Sequence, residues 1–286
     1  MNNYIDSLIL GIIQGLTEFL PVSSTAHLRI AEAWLGVDLH SEYWKMYSVV
    51  IQLGTILSVI VYFWMRIIRF VRTFPRGEPG NRNILTHPLS LTMIAFVVTA
   101  GPVWLLEKKV GDNLENLPVI GLALVAGGIV MWMVDVLYAH PRIQRMEDMG
   151  LLRAVWIGAV QILSAVFPGT SRSMSTIAAG QVAHMSRAAA LAFSFFLSIP
   201  TMVVATGYKF IKAFRSGHFG AADPLAPDHP WIVLGIGFAV SFIVALAVVA
   251  WFMHWVRRRG FVPFAVYRIV LGIVILIWAW RATHAR

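Results

Sequence analysis

The chain has 286 residues, of which 58% are hydrophobic and only 13% charged, and its mean hydropathy is +0.72; a soluble domain carries about 25% charged residues. This composition excludes a soluble globular protein, and the lack of any cysteine excludes disulfides, thiolate nucleophiles and cysteine-based metal sites. The net charge of +9 is spread over short stretches between apolar runs, which points to membrane orientation and anionic lipid head groups, and to no nucleic acid.

Asp6 and the lack of a basic leader predict that the N-terminus is not a cleaved signal peptide. An apolar run from Ile5 to Ile13 leads into "QGLTEFLPVSSTAH", residues 14–27, which holds Glu18, the hydroxyls of Ser23, Ser24 and Thr25, His27 and Pro21. Spanning helices are then predicted over Val49–Met65, Leu89–Leu106 and Val119–Tyr138. A second polar break, "PGTSRSMST" at residues 168–176, precedes three further spans over Ala188–Tyr208, Trp231–Trp255 and Pro263–Trp280. Each span is close to the roughly 20 residues that cross a bilayer as helix.

The two breaks are related. At an offset of 147 residues, Gly11 falls on Gly158, Gln14 on Gln161, Thr17 on Ser164, Pro21 on Pro168 and Ser24 on Ser171; further on, Pro118 falls on Pro263 and Gly127 on Gly272 at an offset of 145. Proline removes a backbone donor and disfavours helix in the residue before it. Irregular backbone survives at membrane depth only when buried in protein or lining a wet cavity. The expected fold is therefore an all-α polytopic membrane protein with an inverted-topology repeat. Each half is one re-entrant helical hairpin plus three transmembrane helices, within a single membrane domain over 1–286 (halves about 1–142 and 143–286). Three crossings per half invert the second half, and such repeats place a binding site at the broken helices.

Twelve arginines lie on one predicted side (Arg66, Arg69, Arg72, Arg76, Arg82, Arg142, Arg145, Arg153, Arg187 and Arg257 to Arg259) and eight lysines and arginines on the other (Lys45, Lys108, Lys109, Lys209, Lys212, Arg215, Arg281 and Arg286). The positive-inside rule makes the richer side cytoplasmic and leaves both termini outside.

Intramembrane charge costs on the order of 2.5–3.5 kcal/mol on insertion scales and marks function by default. Gln14 and Glu18 share a helix face, as do Ser24 and His27. In the second break, Thr170, Ser171, Ser173, Ser175 and Thr176 surround Arg172 at a helix start, which is a receptor for a phosphate-type anion. Glu18 and His27 are then the acid, base or metal groups of a phosphoryl-transfer site. Asp135, near a helix end, reads as interfacial, Arg29 as snorkelling or pairing with Glu32, and Thr176 equally well as a hydroxyl bonded to its own helix.

"GLTEFLPVSSTAH", "VIQLGTILSVIVYFW", "PGTSRSMST", "FSFFLSIPTM" and "FVPFAVYR" resemble, in order and spacing, the blocks of the undecaprenyl-diphosphate phosphatase family of the bacitracin-resistance type. The resemblance covers nearly the whole chain. It implies hydrolysis of the C55 isoprenyl diphosphate to the monophosphate and phosphate with a divalent cation, Mg²⁺ or Ca²⁺, in the bacterial inner membrane, recycling the carrier for peptidoglycan. The family's paired signatures fall on Gln14 to Glu18 and on Pro168 to Thr176. Many members carry Glu where this chain has Gln14, and several have Gly at Ala26. The expected roles are catalytic for Glu18, Ser24, His27 and Arg172, and phosphate-binding for Arg172, Ser171, Ser173, Thr176, Ser23 and Thr25. Glu18 and Gln14 are the metal candidates. The nucleophile is open between water, Ser24 and His27. Oligomeric state is open between a monomer and a homo-oligomer. The rival reading is a transporter of lipid phosphate, which needs anion ligands but no metal-binding carboxylate beside a histidine.

Overall fold

The computed structural model describes residues 3–37, 41–77, 83–105, 116–215 and 226–284, without the side chains of 212–215 and 282–284. Among them are α1 (Asn3–Thr17), α2 (Ser24–Leu35), α3 (Glu42–Tyr62), α4 (Trp64–Thr73), α5 (Pro88–Leu105), α6 (Leu117–Leu137), α7 (Leu151–Val166), α8 (Arg172–Val182), α9 (Arg187–Arg215), α10 (Pro230–Arg259) and α11 (Val262–His284), and no strand. Six of them, α3, α5, α6, α9, α10 and α11, are long and apolar enough to cross a membrane, and they coincide with the six spans read from the sequence. The protein is a multi-pass membrane protein.

The two polar breaks separate pairs of helices too short to span. The arms α1 and α2 have 15 and 12 residues, and α7 and α8 have 16 and 11, against about 20 for a crossing. Within each pair the two arms pack against each other.

The chain forms two compact units, each built from three separate segments. The first comprises residues 1–19, 24–63 and 198–251; the second comprises 20–23, 64–197 and 252–286. Helix α9 passes from one to the other at Leu197–Ser198, close to the Pro200 inside it.

In the first unit, α1 packs on α2 and α3, with Leu10, Leu28, Tyr43, Tyr47, Ile51 and Val233 in its core. Helix α10 lies so close to α1 that a Cβ on Gly11 would sit 3.0 Å from the Gly237 carbonyl oxygen. Buried hydroxyls close the remaining polar groups: Tyr47 donates to the Ser7 carbonyl at 2.7 Å, Tyr43 to that of Pro230 at 2.8 Å, and Ser241 to that of Ile51 at 2.9 Å. Without a hydrophobic force between helices in lipid, such small residues and interhelical hydrogen bonds hold a bundle.

The second unit repeats the device. A Cβ on Gly158, the partner of Gly11 at the 147-residue offset, would collide with the Ala95 carbonyl of α5, and Thr99 donates to the Gly158 carbonyl at 2.7 Å. Helices α6 and α11 pack along their length. Gly121 near the start of α6 meets Gly272 well along α11, while Gly128 meets Ala265 near the start of α11, so the two run antiparallel.

Basic segments gather at one end of this unit. Arg66 on α4 pairs with Glu147 at 2.7 Å, and Arg187 at the start of α9 pairs with Asp135 at 2.7 Å. Arg66, Arg69 and Arg72, expected in a loop, lie on α4, a short amphipathic helix the apolar-run reading passed over. Asp135, expected at the interface, is 1% exposed; it also accepts from Gln181 at 3.0 Å and from the backbone N–H of Phe261 at 2.9 Å. Arg29 lies 3.5 Å from Glu32. Arg82, Lys108, Lys109 and Arg286 of the charge count lie outside the described residues.

Candidate active site

Helix α1 ends at Thr17 because Pro21 cannot continue the ladder. Glu18 follows within one turn, its N–H still reaching the Gln14 carbonyl at 3.0 Å. Its Oε2 accepts two hydrogen bonds, from Gln14 Nε2 at 2.9 Å and from Ser24 Oγ at 2.7 Å. The Glu18 carboxylate thus bridges the end of α1 to the first residue of α2, and the Ser24 hydroxyl is held by a bond in the charge-assisted range. His27 is half-buried one turn further along α2, and Thr25 is exposed.

Gln14 is fully buried, and its Oε1 has no hydrogen-bond partner among the described residues. Among those residues no three His, Cys, Asp or Glu side chains come together as a metal cage. One carboxylate and one amide oxygen instead fit a hard cation that arrives on phosphate and keeps several of its waters.

The second break lies in the other unit. Gly169 takes φ +91°, and a Cβ there would lie 2.6 Å from the Ile120 carbonyl oxygen, so glycine is required on both counts. Ser171 caps α8, accepting from the Met174 N–H at 3.4 Å, and stands 3.0 Å from Ser173 Oγ. Arg172 opens α8, part-buried, with one guanidinium nitrogen 3.5 Å from the Ser194 carbonyl. Thr176 is 1% exposed; it donates to the Arg172 carbonyl at 2.9 Å and lies 2.6 Å from Ser194 Oγ. Its hydroxyl therefore braces the helix that carries Arg172.

Ser23 and Ser171, each immediately before its helix, both adopt left-handed backbone, with φ of 73° and 71°. This is costly for a residue with a side chain and clusters at functional sites. The two strained serines hold the same place before a helix start, but two residues separate Pro21 from α2 and three separate Pro168 from α8. Counted from the helix start, Ser24 falls on Arg172, whereas the constant offset sets it on Ser171.

The bend Leu20–Ser23 belongs to the same compact unit as the second break. Ser173, 1% exposed, donates to the Leu20 carbonyl at 2.9 Å. Arg268, which sequence reasoning missed, is fully buried and donates to the carbonyls of Pro21, Gly169 and Thr170 at 3.1, 3.1 and 2.9 Å. A signal for it existed, since it stands inside the apolar run of α11, where a charge is expensive.

The comparisons with known proteins give the family. The family model "Bacitracin resistance protein BacA" matches residues 7–274. The chain is 60% identical to an undecaprenyl-diphosphatase of Koribacter versatilis over 98% of this chain and all of that protein. It is 41% identical to one of Rhizobium etli over 96% of each chain, and 37% identical to one of Xanthomonas oryzae over 97% and 98%. With both signature breaks and the buried arginine inside the matched span, the chain belongs to the BacA family of bacitracin resistance proteins.

Proposed function

We propose that this protein is an integral-membrane phosphatase that hydrolyses undecaprenyl diphosphate to undecaprenyl phosphate and inorganic phosphate. The step returns the lipid carrier to cell-wall synthesis, and its capacity sets resistance to bacitracin. The observation that carries the chemistry is the 2.7 Å bond from Ser24 to Glu18. A transporter of lipid phosphate needs no carboxylate locked onto a serine at a helix start.

Phosphoryl transfer needs mostly charge stabilisation and positioning, and the residues divide into those roles. Glu18 removes the Ser24 proton as Ser24 Oγ forms a bond to the terminal phosphorus; the bridging P–O bond breaks, and its electron pair leaves with undecaprenyl phosphate. His27 then takes a proton from the water that attacks the phosphoserine; the phosphorus–Ser24 oxygen bond breaks, Glu18 returns its proton to Ser24 Oγ, and phosphate leaves. Arg172 and the first N–H groups of α8 neutralise the phosphoryl oxygens. A divalent cation held by Glu18 and Gln14 Oε1 would supply further charge neutralisation to the diphosphate. That Glu18, Ser24, His27 and Arg172 work on one diphosphate is supported by the two signature segments that carry them, both inside the span that the family model matches.

The short paired helices are read as re-entrant hairpins of an inverted repeat; the matched glycines and the antiparallel α6–α11 pair support this. The arginine-rich side is read as cytoplasmic in the bacterial inner membrane, with the site facing outward. The test of the activity is phosphate release by the purified full chain from an isoprenyl diphosphate, with and without chelator. Chelator-sensitive release is expected, and a folded chain that releases no phosphate overturns the reading.

A further inference from the structure

At the basic end of the second unit lies an open cleft of about 430 Å³, lined among others by Tyr138, Gln144, Ser186, Arg187, Val256 and Arg257. Its size falls within the roughly 300–1,000 Å³ of small-molecule sites. We propose that this cleft is a binding site for the phosphate head group of an anionic phospholipid, apart from the catalytic residues and independent of the reaction assigned to them.

Its position comes first. The cleft opens where α6 ends at Leu137, α9 starts at Arg187 and α10 ends at Arg259, so three membrane-crossing helices reach the interface around it. Aromatic and basic residues mark that level: Tyr138 lines the cleft, and the Arg259 guanidinium lies 5.9 Å from the centre of the Trp255 ring.

Charge decides the class of ligand. The Arg187 charge is balanced by Asp135, 2.7 Å away and 1% exposed, so it forms a fixed wall rather than a free cation. Arg257 is exposed, and among the described residues no carboxylate or hydrogen-bond acceptor meets it. Beside it open the first turn of α9, capped where the Ala189 N–H donates to Ser186 Oγ at 3.2 Å, and Tyr138, which also lines the cleft. A cation, a helix start and a phenol together suit a phosphate oxyanion.

The lining decides between free and lipid-borne phosphate. Ala139, Pro141 and Ala188 contribute accessible apolar surface, which suits glycerol and the top of an acyl chain. Inorganic phosphate would leave most of the volume unfilled.

The test is native mass spectrometry of the detergent-purified full chain with phosphatidylglycerol, phosphatidylcholine or inorganic phosphate added. Phosphatidylglycerol adducts should dominate over phosphatidylcholine. Arg257→Ala should weaken them about five-fold, the share expected of one interfacial arginine. Gln144→Glu, which sets a negative charge in the wall, should weaken them at least as much, while Arg281→Ala should leave them unchanged. Equal binding of phosphatidylcholine, an equal loss in Arg281→Ala, or displacement of the lipid by inorganic phosphate would each overturn the assignment. Should Arg257→Ala fail to fold, Gln144→Glu decides the assignment by itself: adducts as strong as those of the parent chain would overturn it.

Discussion

The Arg268 guanidinium donates to the Pro21 carbonyl at 3.1 Å from one nitrogen and to Thr170 at 2.9 Å from the other. One side chain thus grips the bends of both broken helices, residues that lie 149 positions apart in the chain. The same nitrogen that holds Thr170 also reaches Gly169 at 3.1 Å and Ala123 at 3.3 Å. No carboxylate among the described residues meets this charge. Its counter-charge is the set of carbonyl dipoles that the two bends can no longer use in helix.

Arg268→Met should therefore leave several buried carbonyls unsatisfied, at about 1–3 kcal/mol for a group fully deprived of a partner. A lower unfolding temperature and near-complete loss of phosphate release are expected. Arg268→Lys keeps the charge but replaces a planar fork by a point donor. It should fold and lose about 10²-fold in kcat, as for a misplacement of around 1 Å, with KM within a few-fold. Unchanged kcat in both variants would show that the clamp does not position the site.

Arg172→Ala should lose about 10²–10³-fold in turnover, the usual effect of deleting one transition-state charge donor. Lysine should restore only part of it. A folded alanine variant within a few-fold of the parent would remove Arg172 from the mechanism. Thr176→Val, which breaks the brace to Ser194 without touching phosphate, should cost less than Arg172→Ala; a larger loss would mean that the Thr176 hydroxyl meets the substrate itself.

The bond between Glu18 and Ser24 makes their effects non-additive. Glu18→Gln and Ser24→Ala should each abolish most turnover, and the double variant should be little worse than either single one, as for residues that act as a unit. Gln14→Glu should be tolerated, since it restores the pair found in many family members and adds a charge beside the proposed cation. Losses that multiply in the double variant, or activity indifferent to EDTA, would separate Glu18 from Ser24 or from the cation.

Much of this was legible in the sequence, for physical reasons particular to membranes. Bilayer thickness sets the length of α3, α5, α6 and α9 to α11, so hydropathy finds them. Pro21 and Pro168 cannot sit quietly in a helix, so the breaks are visible too. What escaped depends on local geometry. The extra residue of the second bend is accommodated by Gly169 at φ +91°. No offset comparison weighs backbone dihedrals. Helix α4 escaped because its apolar residues alternate with Arg66, Arg69 and Arg72, which lowers mean hydropathy while making one face apolar. Arg268 escaped because its partners are main-chain carbonyls, which carry no sequence signature. The close helix contacts at Gly11 and Gly158 escaped because the role of such small residues appears only once the helix they face is known.

The side on which the chemistry faces can be tested with single cysteines, because the chain has none of its own. The proposed outward-facing site rests first on the family resemblance, which implies that carrier diphosphate is released outside the cell. It rests second on the positive-inside reading, by which the end bearing Arg66, Arg145, Arg187 and Arg257 is proposed to be cytoplasmic; the ion pairs of Arg66 and Arg187 collect these segments at one end of their unit. Ser173 is too buried to report, at 1% exposure. Thr25, exposed and next to Ser24, is the better probe of the site, and Arg257 is the probe of the end proposed to be cytoplasmic. A membrane-impermeant thiol reagent applied to intact cells should label Thr25→Cys, and isoprenyl diphosphate should protect it. Arg257→Cys should stay unlabelled until the membrane is opened or inverted. The reverse pattern would overturn both the topology and the outward-facing site, and labelling of Thr25→Cys that substrate fails to slow would detach that end of α2 from the binding site while leaving the topology intact.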